Sequence, residues 1–333
     1  MKKNIVIKKI ETLTLELTNL CNLQCIICPR QSANGRKMNY GNMNIEEAKK
    51  VIDEYYQSLQ AVNLTDLGET LLYPQLAEII DYIKNKNSKI SISFATNATL
   101  PNAPEIIKPL ANKINNILIS VDGVNKIYES IRRKSNYMTF VKNVKAISIL
   151  KKHHNFTFTF NMVVFKKNYQ QMTDVVRLAK RFDVAYLQIN PLNIIANSKW
   201  SMSFYNFYFS KKFQEKLSKA TQLAKRLGVN LGSPIFADLN NPKTIRDCPY
   251  IWDGFTVSWD GYLPLCCGTN LPKEKNFGNV FEKGLLNCIN NKELKNIRKA
   301  ALKGKAPKYC RGCYFLTDEI IKNYWSTKAQ KTQ

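Results

Sequence analysis

Thr12-Leu-Thr-Leu-Glu-Leu-Thr-Asn-Leu-Cys21-Asn-Leu-Gln-Cys25-Ile-Ile-Cys28 joins an alternating polar–apolar run to three closely spaced cysteines. Residues 12–17 alternate with the period of a half-buried strand. The strand then hands the chain to a short loop that can wrap three thiolates around an iron–sulfur cluster. Three ligands for a cluster of four irons leave one iron without a protein ligand, and an open metal position is the mark of a catalytic site. Three thiols alone do not close a tetrahedral zinc site. The loop therefore reads as a reactive centre.

Working outward, strands and helices alternate. Asn44-Ile-Glu-Glu47 offers an N-cap with acidic residues in the first turn, and Ile45, Ala48, Val51, Ile52 and Tyr55 follow at helical spacing. Further strands are expected at 61–64, 89–97, 114–121, 156–165 and 185–190, with helices at 74–83, from 104, in two pieces up to 152, at 169–182 and at 213–227. Six such alternations imply parallel strands joined by right-handed crossovers. An open doubly wound sheet and a barrel both fit that repetition. In either, the cysteine loop and the segments Leu67-Gly-Glu-Thr70, Thr96-Asn-Ala-Thr-Leu100 and Ser120-Val-Asp-Gly123 end consecutive strands and converge on one rim.

From about residue 243 the character changes. Cys248-Pro-Tyr-Ile-Trp252 leads into Phe255-Thr-Val-Ser-Trp259, then Asp260-Gly261, then Tyr262-Leu-Pro-Leu-Cys266-Cys267. Asp-Gly between two apolar runs predicts a β-hairpin. A helical stretch near 291–303 and Cys310-Arg-Gly-Cys313 follow. Four thiolates suit a closed zinc site or a second iron–sulfur cluster.

Composition bounds the partners. The 333 residues fit one large domain plus a small one, with boundaries expected at 1–235 and 240–333. No apolar run is long enough to span a bilayer, and the charged start Met1-Lys-Lys-Asn is no signal peptide. Nine cysteines without a secretory signal point to metal ligation in a reducing, cytoplasmic compartment. The net charge of +25 would attract nucleic acid, an acidic peptide or a phosphorylated substrate. The lysines are scattered, however, and no nucleic-acid module is present, so an RNA-binding metalloprotein is the reading from another class.

The C-x3-C-x2-C pattern after a first strand resembles the radical S-adenosylmethionine (SAM) superfamily, and the three later segments quoted above extend that resemblance. The resemblance selects a partial (β/α)6 barrel over the open sheet. It implies that Cys21, Cys25 and Cys28 hold a 4Fe–4S cluster whose open iron chelates SAM, and that reductive cleavage of SAM yields a 5′-deoxyadenosyl radical. Gly68 and Glu69 would meet the methionine ammonium, although this chain has Leu67 and Thr70 where the fuller motif reads Gly-Gly-Glu-Pro. Thr96, Asn97, Ser120, Asp122 and Asn161 (or Asn168) would meet methionine or ribose. Ile27 stands where many relatives carry an aromatic. A flavodoxin or ferredoxin-type electron donor is implied.

The C-terminal part resembles the short, single-cluster SPASM form called a twitch domain. By that resemblance Cys248, Cys266, Cys310 and Cys313 hold an auxiliary 4Fe–4S cluster, with Cys266 preferred to Cys267 by its distance from Gly261. An auxiliary cluster that accepts an electron suits dehydrogenation, so the expected activity is an oxidoreductase acting on a small molecule or a peptide. The barrel's start near residue 10 leaves no room for a leader-recognition domain and weighs against a maturase of ribosomal peptides. An epimerase using Cys267 or Cys288 as hydrogen donor is the alternative within catalysis.

Overall fold

The computed structural model describes residues 3–194, 201–232, 242–266 and 276–329. Strand alternation builds its centre. In β1 (Thr12–Leu15), β2 (Ala61–Asn63), β3 (Ser91–Thr96), β4 (Asn116–Ser120), β5 (Thr157–Val164) and β6 (Tyr186–Pro191), every second side chain is buried. Leu13, Val62, Phe94, Ile119, Phe160 and Ile189 belong to that apolar set and join one continuous core. Each such side chain contributes about 1.5–3 kcal/mol by leaving water. Thr14, Asn63, Ser93, Asn161 and Gln188 fall on the opposite face, which is polar and half-buried.

With β7 (Leu231–Gly232) and β8 (Gly254–Val257), the strands form one 8-stranded sheet in the order β7-β6-β5-β4-β3-β2-β1-β8. All neighbouring pairs are parallel. From β1 to β7 each crossover steps in the same direction, which is the winding of a barrel; a doubly wound sheet reverses direction at its middle. The expected partial barrel is the observed architecture.

The helices are α1 (Ile45–Tyr55), α2 (Leu76–Lys86), α3 (Ala103–Ile107), α4 (Asn125–Ile131), α5 (Tyr137–Lys151), α6 (Met172–Arg181) and α7 (Lys211–Leu227). In the C-terminal part they are α8 (Val280–Lys283), α9 (Leu285–Ile289), α10 (Lys292–Leu302) and α11 (Thr317–Ala329). Asn44 caps α1 as its sequence predicts, its side chain accepting from Glu46 N–H at 2.9 Å and Glu47 N–H at 3.3 Å. Among the described residues no helix is long and apolar enough to cross a membrane.

The hairpin expected around Asp260-Gly261 is built differently. The tight turn is present: Gly261 has φ +87°, and Ser258 N–H donates to Tyr262 O at 2.9 Å. Its first arm, however, is β8, which lies parallel to β1 over four residues. The second arm pairs with residues 277–279 through an antiparallel bridge between Tyr262 and Asn279 and two backbone bonds joining Leu263 to Phe277 and Gly278. The outer edge of β1 is a row of unpaired backbone groups, and β8 satisfies it. The C-terminal part is thereby stitched into the barrel sheet.

Candidate functional site

The cysteine loop leaves β1 and is held from below by backbone. Gln24 N–H donates to Arg133 O at 3.0 Å, and Ile26 N–H donates to Ile131 O at 2.9 Å, so the end of α4 cradles it. The three thiols face one pocket of about 290 Å³ at the C-terminal ends of the strands. Gly68, Glu69, Thr96, Asn97, Ser120 and Asn161 line the same pocket. Residues spread over 140 positions of chain thus meet at the rim that the strand ends predicted.

The turn after β2 presses against the cysteine loop. A Cβ on Gly68 would sit 2.0 Å from Thr18 O and 2.9 Å from Leu20 O, so only glycine lets the two backbones touch. Glu69 is buried, and its carboxylate accepts from Thr96 Oγ1 at 2.6 Å, Asn97 N–H at 2.7 Å and Leu71 N–H at 3.3 Å. Burial pushes its pKa up, and these donors pull it back. The side chain is committed to knitting β2 to β3, and the Glu69 carbonyl accepts from Leu72 N–H at 2.9 Å. Asn97 Nδ2 donates to Asn22 Oδ1 at 2.8 Å, and Asn22 Nδ2 donates to Thr99 Oγ1 at 3.0 Å. Asn22, inside the cysteine loop, is a positioning residue that the sequence did not single out. Asn161 accepts from Asn190 Nδ2 at 2.7 Å, so a polar ladder on the strand faces fixes its amide.

Two expected contacts lie elsewhere. Asp122 is fully buried behind the pocket: it pairs with Arg132 at 2.8 Å and accepts from Val163 N–H at 2.8 Å. Asn168 is also fully buried, and its amide closes the turn after β5 on Asp122 O, Val163 O and Phe165 N–H. Arg132 is the member of this ion pair that reaches the pocket. Its buried Nε has no hydrogen-bond partner among the described residues.

Burial pushes all three thiols of the loop above the ordinary range, Cys25 to about 12. Arg132 works the other way on Cys25 and Cys28, and Arg30 on Cys21 and Cys28. Such thiols ionise when a metal supplies the charge. Three soft donors, with an Asp122-anchored arginine beside them whose Nε has no hydrogen-bond partner among the described residues, fit a thiolate-held cluster.

Glu16 closes the site from the other side. Its buried carboxylate accepts from Leu67 N–H at 3.3 Å and from Trp259 N–H at 3.2 Å, linking the turn after β2 to the turn after β8. Burial, reinforced by Asp66 and Asp260, pushes its pKa up to about 8. The unfolded chain ionises this group near 4.5, whereas the folded protein holds the proton until about 8. Stability from this group therefore falls as pH rises through that window, by at most about 1.4 kcal/mol per pH unit. Glu16→Gln is expected to flatten that part of the melting-temperature profile; an unchanged slope in the variant would refute the assignment.

The second cysteine set lies in three chain segments. Burial raises Cys248, Cys310 and Cys313, and the charge of neighbouring thiols adds to it: Cys248 responds to Cys266 and Cys313, and Cys310 to Cys266, Cys313 and Cys248. The four thiols are thus within electrostatic reach of one another, although among the described residues they are not drawn together as a metal-holding group. Cys288 stands apart: it is buried, its Sγ donates to Asn279 O at 3.5 Å, and a Cβ on Gly278 would lie 3.1 Å from it. It is a packed thiol outside the pocket lining. Cys267 lies outside the described residues.

Residues 15–179 match the radical SAM superfamily model, and residues 248–314 match the SPASM iron–sulfur cluster-binding domain. The chain is 25% identical over 314 residues to the antilisterial bacteriocin subtilosin biosynthesis protein AlbA of Bacillus subtilis, covering 90% of this chain and 66% of that protein. It is 32% identical over 174 residues to an AdoMet-dependent heme synthase of Methanosarcina barkeri, covering 51% of this chain and 48% of the other. The chain thus spans about two thirds of the length of the first relative and about half of the second. In fold it resembles Streptococcus suis SuiB bound to S-adenosylmethionine, with a TM-score of 0.68 at 14% identity, over 94% of this chain and 72% of the other.

Proposed function

The chain belongs to the radical SAM superfamily and carries a C-terminal SPASM domain, and from that premise we propose that it is an oxidoreductase that modifies a peptide. The observation that carries this reading is the pocket that three thiols share with the strand-end segments. Cys21, Cys25 and Cys28 sit on it with Gly68, Thr96, Asn97, Ser120 and Asn161, while Cys248, Cys266, Cys310 and Cys313 lie within electrostatic reach of one another. The first set would hold the 4Fe–4S cluster that binds SAM, and the second would hold the auxiliary 4Fe–4S cluster. Bound there, these groups supply reductive SAM cleavage to a radical that abstracts hydrogen, and a one-electron acceptor for the substrate.

The chain's own residues do the rest. The Gly68 carbonyl, with the second lone pair of the Glu69 carbonyl beside it, accepts from the ligand's ammonium, since the Glu69 carboxylate is already engaged. Arg132, anchored by Asp122, presents a fixed cation to its carboxylate. Ser120 and Asn161, neighbours in register on β4 and β5, offer hydroxyl and amide groups to the ribose. A peptide is preferred to a small molecule because one relative, aligned over 90% of the chain, is a bacteriocin biosynthesis protein. The charge of +25 favours an acidic one, and a flavodoxin or ferredoxin-type protein would serve as electron donor.

Anaerobically purified protein is expected to carry about eight irons, as two cubanes require. It should release 5′-deoxyadenosine when given SAM and dithionite. Tightly bound zinc with negligible iron would overturn the reading.

A further inference from the structure

The aromatic segment Met202–Phe209 has no place in the chemistry so far, yet it reaches both ends of the site. It is a 3₁₀ helix, in which residues three apart stand one above the other. Tyr205 and Tyr208 are such a pair; both are fully buried, with ring centroids 6.1 Å apart. Each hydroxyl bridges two backbone groups. Tyr208 Oη accepts from Leu192 N–H at 3.0 Å and donates to Val164 O, at the end of β5, at 2.7 Å. Tyr205 Oη accepts from Ile194 N–H at 3.4 Å and donates to Gly312 O at 2.7 Å.

Gly312 lies inside Cys310-Arg-Gly-Cys313. Its φ is +85°, and a Cβ there would stand 3.3 Å from Ile194 Cγ1, so this turn passes tightly over the segment that follows β6. The two hydroxyls thus read alternate residues of one segment, Leu192 and Ile194. One ties it to the strand that carries Asn161 and Val163 on the pocket; the other ties it to the second cysteine set.

We propose that Tyr205 is the positioning residue of the C-terminal cysteine pair, its hydroxyl holding the Cys310–Cys313 turn in register with the barrel rim. The role rests on the reading of Cys248, Cys266, Cys310 and Cys313 as ligands of the auxiliary cluster. A phenylalanine would fill the same space. A buried hydroxyl is favourable only where both partners are present, and removing it leaves the Gly312 carbonyl and the Ile194 N–H unpaired. The freed carbonyl sits between two ligands, so the loss loosens the turn they share.

The test compares Tyr205→Phe with Tyr208→Phe in the full-length, cluster-loaded protein. Each variant removes one hydroxyl and strands one N–H and one carbonyl, so melting temperatures should fall alike. Under a chelator, followed by absorbance and by electron paramagnetic resonance, Tyr205→Phe is expected to lose the auxiliary half of its iron about tenfold faster than the wild type, the scale of one unpaired buried group. Tyr208→Phe should lose it at the wild-type rate. Equal rates in the two variants, or a wild-type rate in Tyr205→Phe, would overturn the proposal. Should Tyr205→Phe not fold, 3,5-difluorotyrosine at position 205 keeps the shape and strengthens the donor. Iron loss should then slow, and an unchanged rate counts against the role. Iron content of the wild type and of Cys310→Ala reports separately on the cluster itself, so a missing auxiliary cluster is told apart from a misassigned tyrosine.

Discussion

Replacing Cys21, Cys25 and Cys28 together by alanine is expected to bring 5′-deoxyadenosine formation below detection while leaving about half the iron in place. The fold should survive, because backbone rather than sulfur shapes the loop. Gln24 and Ile26 are tied to the end of α4, and Glu69 N–H donates to Leu20 O at 2.8 Å. Asn22 holds Asn97 through its side chain at 2.8 Å, whereas Cys21 Sγ meets the same two side chains only at 3.8 and 3.9 Å. Burial opposes ionisation of the three thiols, so they are neutral in the apo protein and alanine removes no charge from the loop. The apo variant should therefore melt close to the apo wild type. The measurement is iron and 5′-deoxyadenosine per chain under dithionite. Persistent SAM cleavage in the triple variant would remove the loop from the chemistry.

What the sequence could reveal was local. The period-two run at residues 12–17, the cysteine spacing, the Asn44 cap, the strand ends at Thr96 and Ser120 and the Gly68 turn after β2 are all written within a few neighbouring residues, and the structure places each at the pocket rim or in the element its pattern predicts. What it hid depends on the chain returning to itself. The run from Phe255 to Trp259 has the pattern of a hairpin arm, and only the unpaired edge of β1 explains why it joins the barrel sheet instead. Glu16 continues the polar half of the alternation. Beyond Leu15 the chain still follows β8, with Glu16 N–H donating to Val257 O at 2.9 Å, and the carboxylate is buried between the turns after β2 and β8.

Arg132 shows the same limit more sharply. Nothing in Ile131-Arg-Arg-Lys134 marks one basic residue above its neighbours. Its importance comes from α4 ending beneath the cysteine loop and from Asp122 waiting there fully buried. The rule that a polar residue after a strand faces the site failed for Asp122 for the same reason. A buried carboxylate needs a cation more than the pocket needs a carboxylate. A signal was available in principle: Ser-Val-Asp-Gly lies ten residues before an arginine at the end of a short helix, a separation that one turn of chain can close.

Cys310→Ala separates the two thiol sets. It is expected to spare SAM cleavage and to stop product formation, so that 5′-deoxyadenosine accumulates uncoupled from product. Oxidation removes two hydrogens from the substrate: one leaves as an atom, the other as a proton, and an electron must have somewhere to go. The second thiol set is the donor set this chain offers for an acceptor, and Cys310 is its most deeply placed member, 6% exposed. The barrel pocket does not depend on it, since none of the four thiols lines that pocket. Nor should the variant collapse the turn, because Tyr205 grips Gly312 through a backbone carbonyl that alanine leaves in place. Epimerisation makes the opposite demand. It returns a hydrogen atom to carbon from a thiol donor, and Cys288 is packed against Asn279 beyond the pocket lining. The deciding experiment is the mass of the product formed in heavy water by the wild type. A product lighter by two hydrogens, lost entirely in Cys310→Ala, is the expected result. A product of unchanged constitution with one deuterium at an inverted carbon, still formed by Cys310→Ala, would rule oxidation out and strip the second thiol set of its redox role.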